Sequence, residues 1–360
     1  MNNNYFSLGL MSGTSMDGVD ASIIQSNGAY EYKTIFNEYR QYDENLYKKL
    51  NIIRDKISTP QDLNLLSGEL KLLEKEITLF HVELANKIIK KKDNNVHLIG
   101  FHGQTIFHNA NYKISKQLGD GYLLSKLTKK IVVYDFRKND LKNGGQGAPL
   151  TPIFHTTINK KINDISKSFL NIGGIANETI IFENGNFSAR DIGPGNCLID
   201  RWIKLKSEKI FDKNGDIARS GKIHKTILDQ SLAIFNKNIS QKRSYDISDF
   251  DLSLIKDLSL EDGAATITEF TSEILSKKIL NKNIYVCGGG RKNKFLIESI
   301  ENKIKSKIKL IDEIDIDGDF VESQAFAYLA IRSYLGLPIS FPETTGCKEP
   351  CTGGVIVKNF

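Results

Sequence analysis

GLMSGTSMDG, Gly9 to Gly18, sets three glycines, two serines and a threonine directly after the β-prone segment Tyr5–Met11. A second β-prone segment, Val19–Gln25, follows at once, so the stretch reads as a hairpin with an enlarged turn. Glycine lets consecutive backbone N–H groups approach an anion closely, and hydroxyls complete such a shell. The same order recurs later: the strand Phe169–Ile172, the turn Gly173-Gly174 and the strand Ile175–Phe182. Two halves that each begin strand, glycine turn, strand suggest a duplicated architecture.

Around these hairpins, strands alternate with helices. A strand near Tyr32–Glu38 extends the first hairpin. Thr59-Pro60 opens a long helix with Leu63, Leu66, Leu70, Leu73, Ile77 and Phe80 on one face. Strands follow at Val96–Phe101 and Ile131–Tyr134, then helices near Asp262–Lys282, Asn293–Lys305 and Phe320–Leu335, with strands Ile284–Cys287 and Ile308–Ile311 between them. This alternation gives an α/β class. At 360 residues the chain exceeds the size at which one core usually stops growing, so two domains with a cleft between them are expected. The polar, glycine-rich run DFRKNDLKNGGQGAPLTP, Asp135–Pro152, marks the passage from one half to the other.

Composition narrows the function. A net charge of +6 rests on scattered lysines, and no arginine-rich or aromatic-interleaved run supports a nucleic-acid partner. The N-terminus lacks a basic segment and no run is long enough to span a bilayer, so neither a signal peptide nor a membrane is expected. Cys197, Cys287, Cys347 and Cys351 include no CxxC pair, which argues against structural zinc and for a reduced, cytoplasmic setting. His81 and His97 are read as structural or exposed.

The familiar phosphate loops are absent. Gly221-Lys222 is followed by Ile223, so there is no Walker lysine with its Ser or Thr, and Gly193-Pro194-Gly195 fails the dinucleotide fingerprint. What remains is the pair of glycine turns, each accompanied by carboxylates: Asp17 and Asp20 after the first, Asp191 past the second. Phosphoryl transfer needs Mg²⁺ held by oxygen ligands and a carboxylate that orients or deprotonates the acceptor.

GLMSGTSMDGVD, GFHGQTI, DFRKNDLKNGGQGAPLTP, LNIGGIAN, DIGPGNCLID, CGGGRKN and ESQAFAYLAIR occur in this order from residue 9 to residue 332. Together they resemble the signature blocks of the anhydro-N-acetylmuramic acid kinases. The resemblance implies a two-domain actin-like ATPase (ribonuclease H-like) fold that closes on ATP in an inter-domain cleft. Residues 1–130 form the expected first domain, with 340–360 packing on it, and residues 131–339 the second, carrying the catalytic aspartate. It also implies an enzyme of peptidoglycan recycling and amino sugar catabolism. That enzyme opens 1,6-anhydro-N-acetylmuramic acid with water and phosphorylates O6, giving N-acetylmuramic acid 6-phosphate and ADP. A small amino sugar is then the partner, and a homodimer the assembly.

Residue by residue, the resemblance assigns Asp140 as the base that activates water, and Glu322 matches an active-site glutamate that is equally placed to complement a helix dipole. Gly13, Thr14, Ser15, Met16, Asp17, Gly18, Val19 and Asp20 match the ATP phosphate hairpin, with Gly173 and Gly174 as its second-half counterpart. Gly288, Gly289, Gly290 and Asn293 are expected beneath adenosine. His102, Gln104, Thr105, Arg137 and Gln146 are expected to orient the sugar from loops that follow strands, with Arg137 either meeting the lactyl carboxylate or forming a structural ion pair. Asp17 and Asp191 are the candidates for Mg²⁺. The stretch SQKRSYDISDFDLSL departs from the family form, and TTGCKEPCTGG carries Cys347 and Cys351 without an assigned duty. A kinase for a non-anhydro hexose and a non-catalytic nucleotide-binding protein of the same fold are the rival readings.

Overall fold

The structure, a computed structural model, describes residues 4–92, 95–162, 166–238, 244–250 and 253–360. The chain divides into two units: Met1–Asn163 with Phe320–Phe360, and Asp164–Asp319.

The first unit begins with the hairpin read from the sequence, β1 (Tyr5–Ser12) and β2 (Gly18–Ser26), extended by β3 (Tyr32–Gln41). Helix α1 (Glu44–Asp55) starts at Asp43, whose side chain accepts from Leu46 N. The expected single helix from Thr59 is two: α2 (Pro60–Leu65), capped by the Thr59/Asp62 box, and α3 (Ser67–Lys91). Leu66 has left helical geometry, and the weak helix formers Ser67 and Gly68 follow it. The stripe Leu70, Leu73 and Ile77 is buried as expected. Strands β4 (Leu98–Asn109), β5 (Ile114–Leu118) and β6 (Ile131–Tyr134), with helices α4 (Gly121–Thr128), α5 (Lys138–Lys142) and α6 (Pro152–Asn159), complete this part.

The second unit repeats the plan. Strands β7 (Lys167–Ile172), β8 (Ile175–Ile181) and β9 (Phe187–Pro194) form an antiparallel meander, followed by helices α7 (Cys197–Lys206), α8 (Asp216–Ser220), α9 (Lys225–Asn238) and α10 (Leu260–Lys278). Strand β10 (Ile284–Cys287), helix α11 (Lys294–Ile304) and strand β11 (Ile308–Leu310) close its sheet, whose order is β11-β10-β7-β8-β9. Trp202, Ile203, Leu275 and Val286 lie in its core.

The chain then returns to the first unit as helix α12 (Val321–Tyr334), helix α13 (Pro342–Thr345) and strand β12 (Val355–Val357). The first sheet runs β12-β6-β4-β1-β2-β3, with β5 paired to β4. In both units an antiparallel three-strand meander abuts parallel strands, which is the ribonuclease H-like arrangement implied by the resemblance.

The boundaries differ from those expected. Residues 131–163 and 320–339 belong to the first unit, because β6 pairs in parallel with β4 and α12 packs on the first sheet. The catalytic candidate Asp140 therefore lies in the first unit and not the second. The seat of α12 is cut by two adjacent glycines. A Cβ on Gly9 would lie 1.9 Å from Ser323 O, and one on Gly100 2.2 Å from Phe326 O, so only bare backbone lets the helix reach the sheet.

Candidate functional site

In the first unit, the turn after β1 is tied from below. Gly13 O accepts from Met16 N at 3.2 Å, and Met16 takes a positive φ of 57° with its side chain in the core. Gln104 Nε2 donates to Gly13 O at 2.9 Å, while its Oε1 lies 2.6 Å from Ser12 Oγ. Ser12 Oγ also lies 2.8 Å from Gly18 O and from Tyr42 Oη. Gln104 is fully buried, so it braces the hairpin and is not open to a sugar in this structure. Thr14 and Ser15 are exposed at the tip, and Ser15 Oγ donates to Asp17 Oδ1 at 2.5 Å. Burial, then the charges of Asp17 and Asp20, pushes the Tyr39 phenol above its usual range. Val19 is a core residue of β2.

Strand β4 runs on through His102, Gln104 and Thr105, placing them within a strand and not on the expected loop. The extension is paired: β5 lies against Gln104–Asn109, and Gln117 Nε2 donates to Thr105 Oγ1 at 3.1 Å. His102 Nδ1 lies 2.8 Å from Gly103 O and Nε2 lies 3.0 Å from Arg137 Nη2. A carbonyl accepts and a guanidinium donates, so His102 carries its proton on Nδ1. Burial and then the Arg137 charge push His102 down to about 3, which keeps it neutral. Arg137 Nη1 donates to Gly147 O at 2.8 Å, linking this histidine to the glycine-rich loop.

That loop wraps Asp140. The carboxylate sits in α5, with Oδ1 accepting from Thr345 Oγ1 at 2.5 Å and Oδ2 accepting from Gly147 N at 2.6 Å. Gly145 is pressed on it: a Cβ there would fall 2.2 Å from Oδ2. Gln146 N donates to Thr345 O at 2.8 Å and Lys348 N to Asn143 O at 3.2 Å, so the loop is zipped to the segment after α13. Asp140 is 0% exposed, and no solvent touches it in this arrangement. The Gln146 side-chain position is half-buried. His108 borders Gly147, and burial pushes it down to about 4.

Thr345, Ser12, Tyr42 and His108 were not singled out from the sequence. Thr345 stands 205 positions from Asp140, and no local pattern joins them. Glu322 is half-buried in the first turn of α12, where a carboxylate complements the helix dipole.

In the second unit, the Gly173-Gly174 turn is closed by the segment leading into α7. Gly195 N and Cys197 N donate to Gly174 O, and Asn196 N donates to Gly173 O. Asp191 lies in β9 opposite Asn177; it is 8% exposed and its Oδ2 accepts from Tyr245 N at 2.9 Å. Tyr245 belongs to the departing stretch, of which residues 240–243 and 251–252 lie outside the described residues. After β10, Gly288 takes a φ of 78° and Gly290 packs on Ile172, while Gly289 is exposed with room around its Cα. Asn293 caps α11, its Oδ1 accepting from Leu296 N at 3.0 Å. Arg291 anchors this turn. Its Nε donates to Asp312 at 2.8 Å and its Nη1 to Asp319 at 2.6 Å.

Among the described residues, no helix is long and apolar enough to cross a membrane. His81 is buried and packs its Nδ1 2.8 Å from Ile77 O, whereas His97 is exposed and its Nδ1 accepts from Phe6 N.

The family model for anhydro-N-acetylmuramic acid kinase matches residues 5–359. The chain is 52% identical over 371 residues to the anhydro-N-acetylmuramic acid kinase of Pelagibacter ubique, with 99% of each covered. It is 38% identical over 374 residues to that of Agrobacterium fabrum, with 98% of each covered. For the Zymomonas mobilis enzyme the identity is 37% over 362 residues, covering 97% of this chain and 98% of the relative. With full-length likeness of this order, and a paired-hairpin fold that agrees with it, the chain belongs to the anhydro-N-acetylmuramic acid kinase family.

Proposed function

We propose that this protein is an ATP-dependent kinase that opens 1,6-anhydro-N-acetylmuramic acid with water and phosphorylates O6, giving N-acetylmuramic acid 6-phosphate and ADP in peptidoglycan recycling. The observation that carries the reading is family likeness over residues 5–359, within which Asp140 is the carboxylate enclosed by the GGQG loop. Asp140 takes a proton from water as it attacks C1. The bond from C1 to the bridging oxygen breaks, and that oxygen, now O6, accepts the γ-phosphoryl group.

Each Asp140 oxygen accepts one hydrogen bond and keeps a lone pair for a water proton. Because the carboxylate is shut off from solvent, catalysis requires residues 144–147 to draw back from Thr345 and admit water and sugar. Arg137, half-buried, orients the sugar near this loop; His102, buried with its ring nitrogens taken by Gly103 O and Arg137, holds that arginine in place, and Gln104 acts beneath the phosphate hairpin as its brace. Thr14 and Ser15, at the exposed tip, are the hydroxyls for the phosphates; Gly289 is the open position of the adenosine turn.

Ser15 Oγ is hydrogen-bonded to Asp17, whose carboxylate, like that of Asp20, acts on Tyr39; Ser15 and Asp17 offer the oxygen donor chemistry that suits Mg²⁺ with its water shell. When bound there, Mg²⁺ would supply charge neutralisation at the phosphates. Asp191 is buried at 8% exposure whereas Asp17 is half-buried beside the exposed tip, which favours Asp17 over it. A homodimer rests on the family resemblance, and a cytoplasmic setting on the cysteine usage, with no cysteine among the described residues in a disulfide.

Two observations favour a second reading of Asp140 itself, as a structural pin of the glycine loop: its complete burial and its pair of short hydrogen bonds. The deciding experiment for the reaction is a coupled ADP assay with 1,6-anhydro-N-acetylmuramic acid beside N-acetylmuramic acid, run in ¹⁸O-water. Ring opening places solvent oxygen at C1. ADP release with the non-anhydro sugar alone, or product without the label at C1, refutes the reading.

A further inference from the structure

Asp140 has two neighbours that the proposed reaction does not use. Cys347 and Cys351, both buried, bring their sulfurs to its carboxylate: one donor atom from each of the three residues lies within 4.8 Å of the others. Among the described residues this is the one group of three metal-capable side chains. Both cysteines are free, and all three residues lie in the first unit.

We propose that Asp140, Cys347 and Cys351 form a binding site for a soft divalent cation of the Zn²⁺ or Cd²⁺ class, whose occupancy takes the Asp140 carboxylate out of action. The inhibitory part rests on the proposed role of Asp140 as base; the site itself does not. Two sulfurs and one oxygen select thiophilic cations and disfavour Mg²⁺, which takes oxygen ligands. Bonds of about 2.3 Å to sulfur and 2.0–2.2 Å to oxygen place tetrahedral donors roughly 3.5–3.8 Å apart. Donors spanning at most 4.8 Å reach that spacing by side-chain shifts of about 1 Å or less.

The neighbouring groups are compatible with this change. Cys347 Sγ donates to Glu349 O at 3.2 Å and Cys351 Sγ lies 3.0 Å from Ser340 Oγ, contacts that reorganise when the thiols ionise. Each Asp140 oxygen already engaged by Thr345 or Gly147 keeps a lone pair for the cation. Two metal–sulfur bonds form as both thiols lose their protons to solvent, and water or a nearby hydroxyl takes the fourth position. Entry uses the same withdrawal of residues 144–147 that substrate needs, so cation and sugar compete for one opening.

The test is titration of the reduced, full-length protein with Cd²⁺, followed by the ultraviolet thiolate-to-cadmium charge-transfer band, alongside Zn²⁺ inhibition of ADP release. One tight Cd²⁺ per chain with a two-thiolate band is expected. Loss of a ligand exceeds the 10–100-fold cost of losing an outer-shell partner, so Cys347→Ser and Cys351→Ser should each weaken binding by more than about 100-fold. Cys197→Ser, a folded control outside the site, should keep the band. Zn²⁺ should inhibit the parent enzyme reversibly and inhibit each of the two site variants far less, relative to its own metal-free rate. Titrations that coincide for the parent, Cys347→Ser and Cys351→Ser overturn the site. Cd²⁺ bound at the site with turnover untouched leaves the site standing and refutes Asp140 as the base.

Discussion

Asp140→Asn separates the catalytic from the structural reading of the enclosed carboxylate. Asparagine keeps the shape, but the anion that accepts from Thr345 Oγ1 at 2.5 Å and from Gly147 N at 2.6 Å is gone. The backbone donor cannot turn, so the amide oxygen faces Gly147 N and the amide nitrogen faces Thr345, whose hydroxyl rotates to accept. Two charge-assisted bonds of about 1.5–3 kcal/mol become neutral ones of about 0.5–1.5, a loss of about 2–3 kcal/mol in total. For a unit of this size that lowers the melting temperature by about 4–12 °C. The fold should therefore survive at room temperature. If Asp140 is the base, turnover falls by at least about 100-fold, the lower end of what general-base catalysis contributes. Differential scanning fluorimetry, calorimetric binding of a non-hydrolysable ATP analogue and the coupled ADP assay read the three quantities on one preparation. The expected result is a modest melting shift, unchanged nucleotide binding and lost turnover. A variant that melts lower yet turns over within tenfold of the parent refutes the catalytic assignment and leaves Asp140 as a pin.

Gly145→Ala should cost more than tenfold in turnover, because its Cβ would lie 2.2–2.5 Å from the Asp140 carboxylate and must displace it; parent-like kinetics would show that the loop does not position the group. Arg291→Met leaves Asp312, Asp317 and Asp319 facing one another and should lower denaturant stability by about 1–3 kcal/mol at neutral pH, discounted because the acids are partly exposed. Burial raises Asp312 and Asp319, but the hydrogen bonds and charge of Arg291, joined by Gly318 N at Asp312 and by Lys292 at Asp319, together outweigh it and hold both below the usual carboxylate range. Their stabilisation is present above the unfolded carboxylate range and is lost as pH falls through the folded values, so the gap between parent and Arg291→Met should close below pH of about 4; a gap that widens in acid contradicts the assignment. Burial pushes His102 and His155 down to about 3, and His81 and His108 to about 4. Below an unfolded value of about 6.5 the unfolded chain binds protons that the native histidines refuse, so stability should fall with acidification by roughly 1.4 kcal/mol per pH unit for each histidine. Urea midpoints that stay flat between pH of about 7 and 5 would show that these rings protonate in the folded state.

The elements most legible in the sequence are those fixed by local chemistry. β1 ends and β2 begins at the glycine turn, Ile131–Tyr134 and Ile284–Cys287 are strands over their full expected lengths, and Asn293 caps α11. Less local features were harder to read. β4 continues through HGQT because β5 pairs with it, which the residues of β4 do not announce. The break at Leu66 interrupts an apolar stripe that periodicity alone would carry through. Gln104 reads as a polar ligand candidate, yet its partners Ser12 and Gly13 turn it into a brace.

By itself the sequence determined the α/β class, the two glycine hairpins and the family, because periodicity, turn residues and ordered motifs are properties of short segments. Tertiary structure alone decided that residues 131–163 and 320–339 join the first unit, and that Thr345, Cys347 and Cys351 surround Asp140. Those contacts join residues some two hundred positions apart, and they form only when β6, α12 and β12 find the same sheet. That choice is made by burial and strand pairing across the chain, which no local stretch of residues encodes.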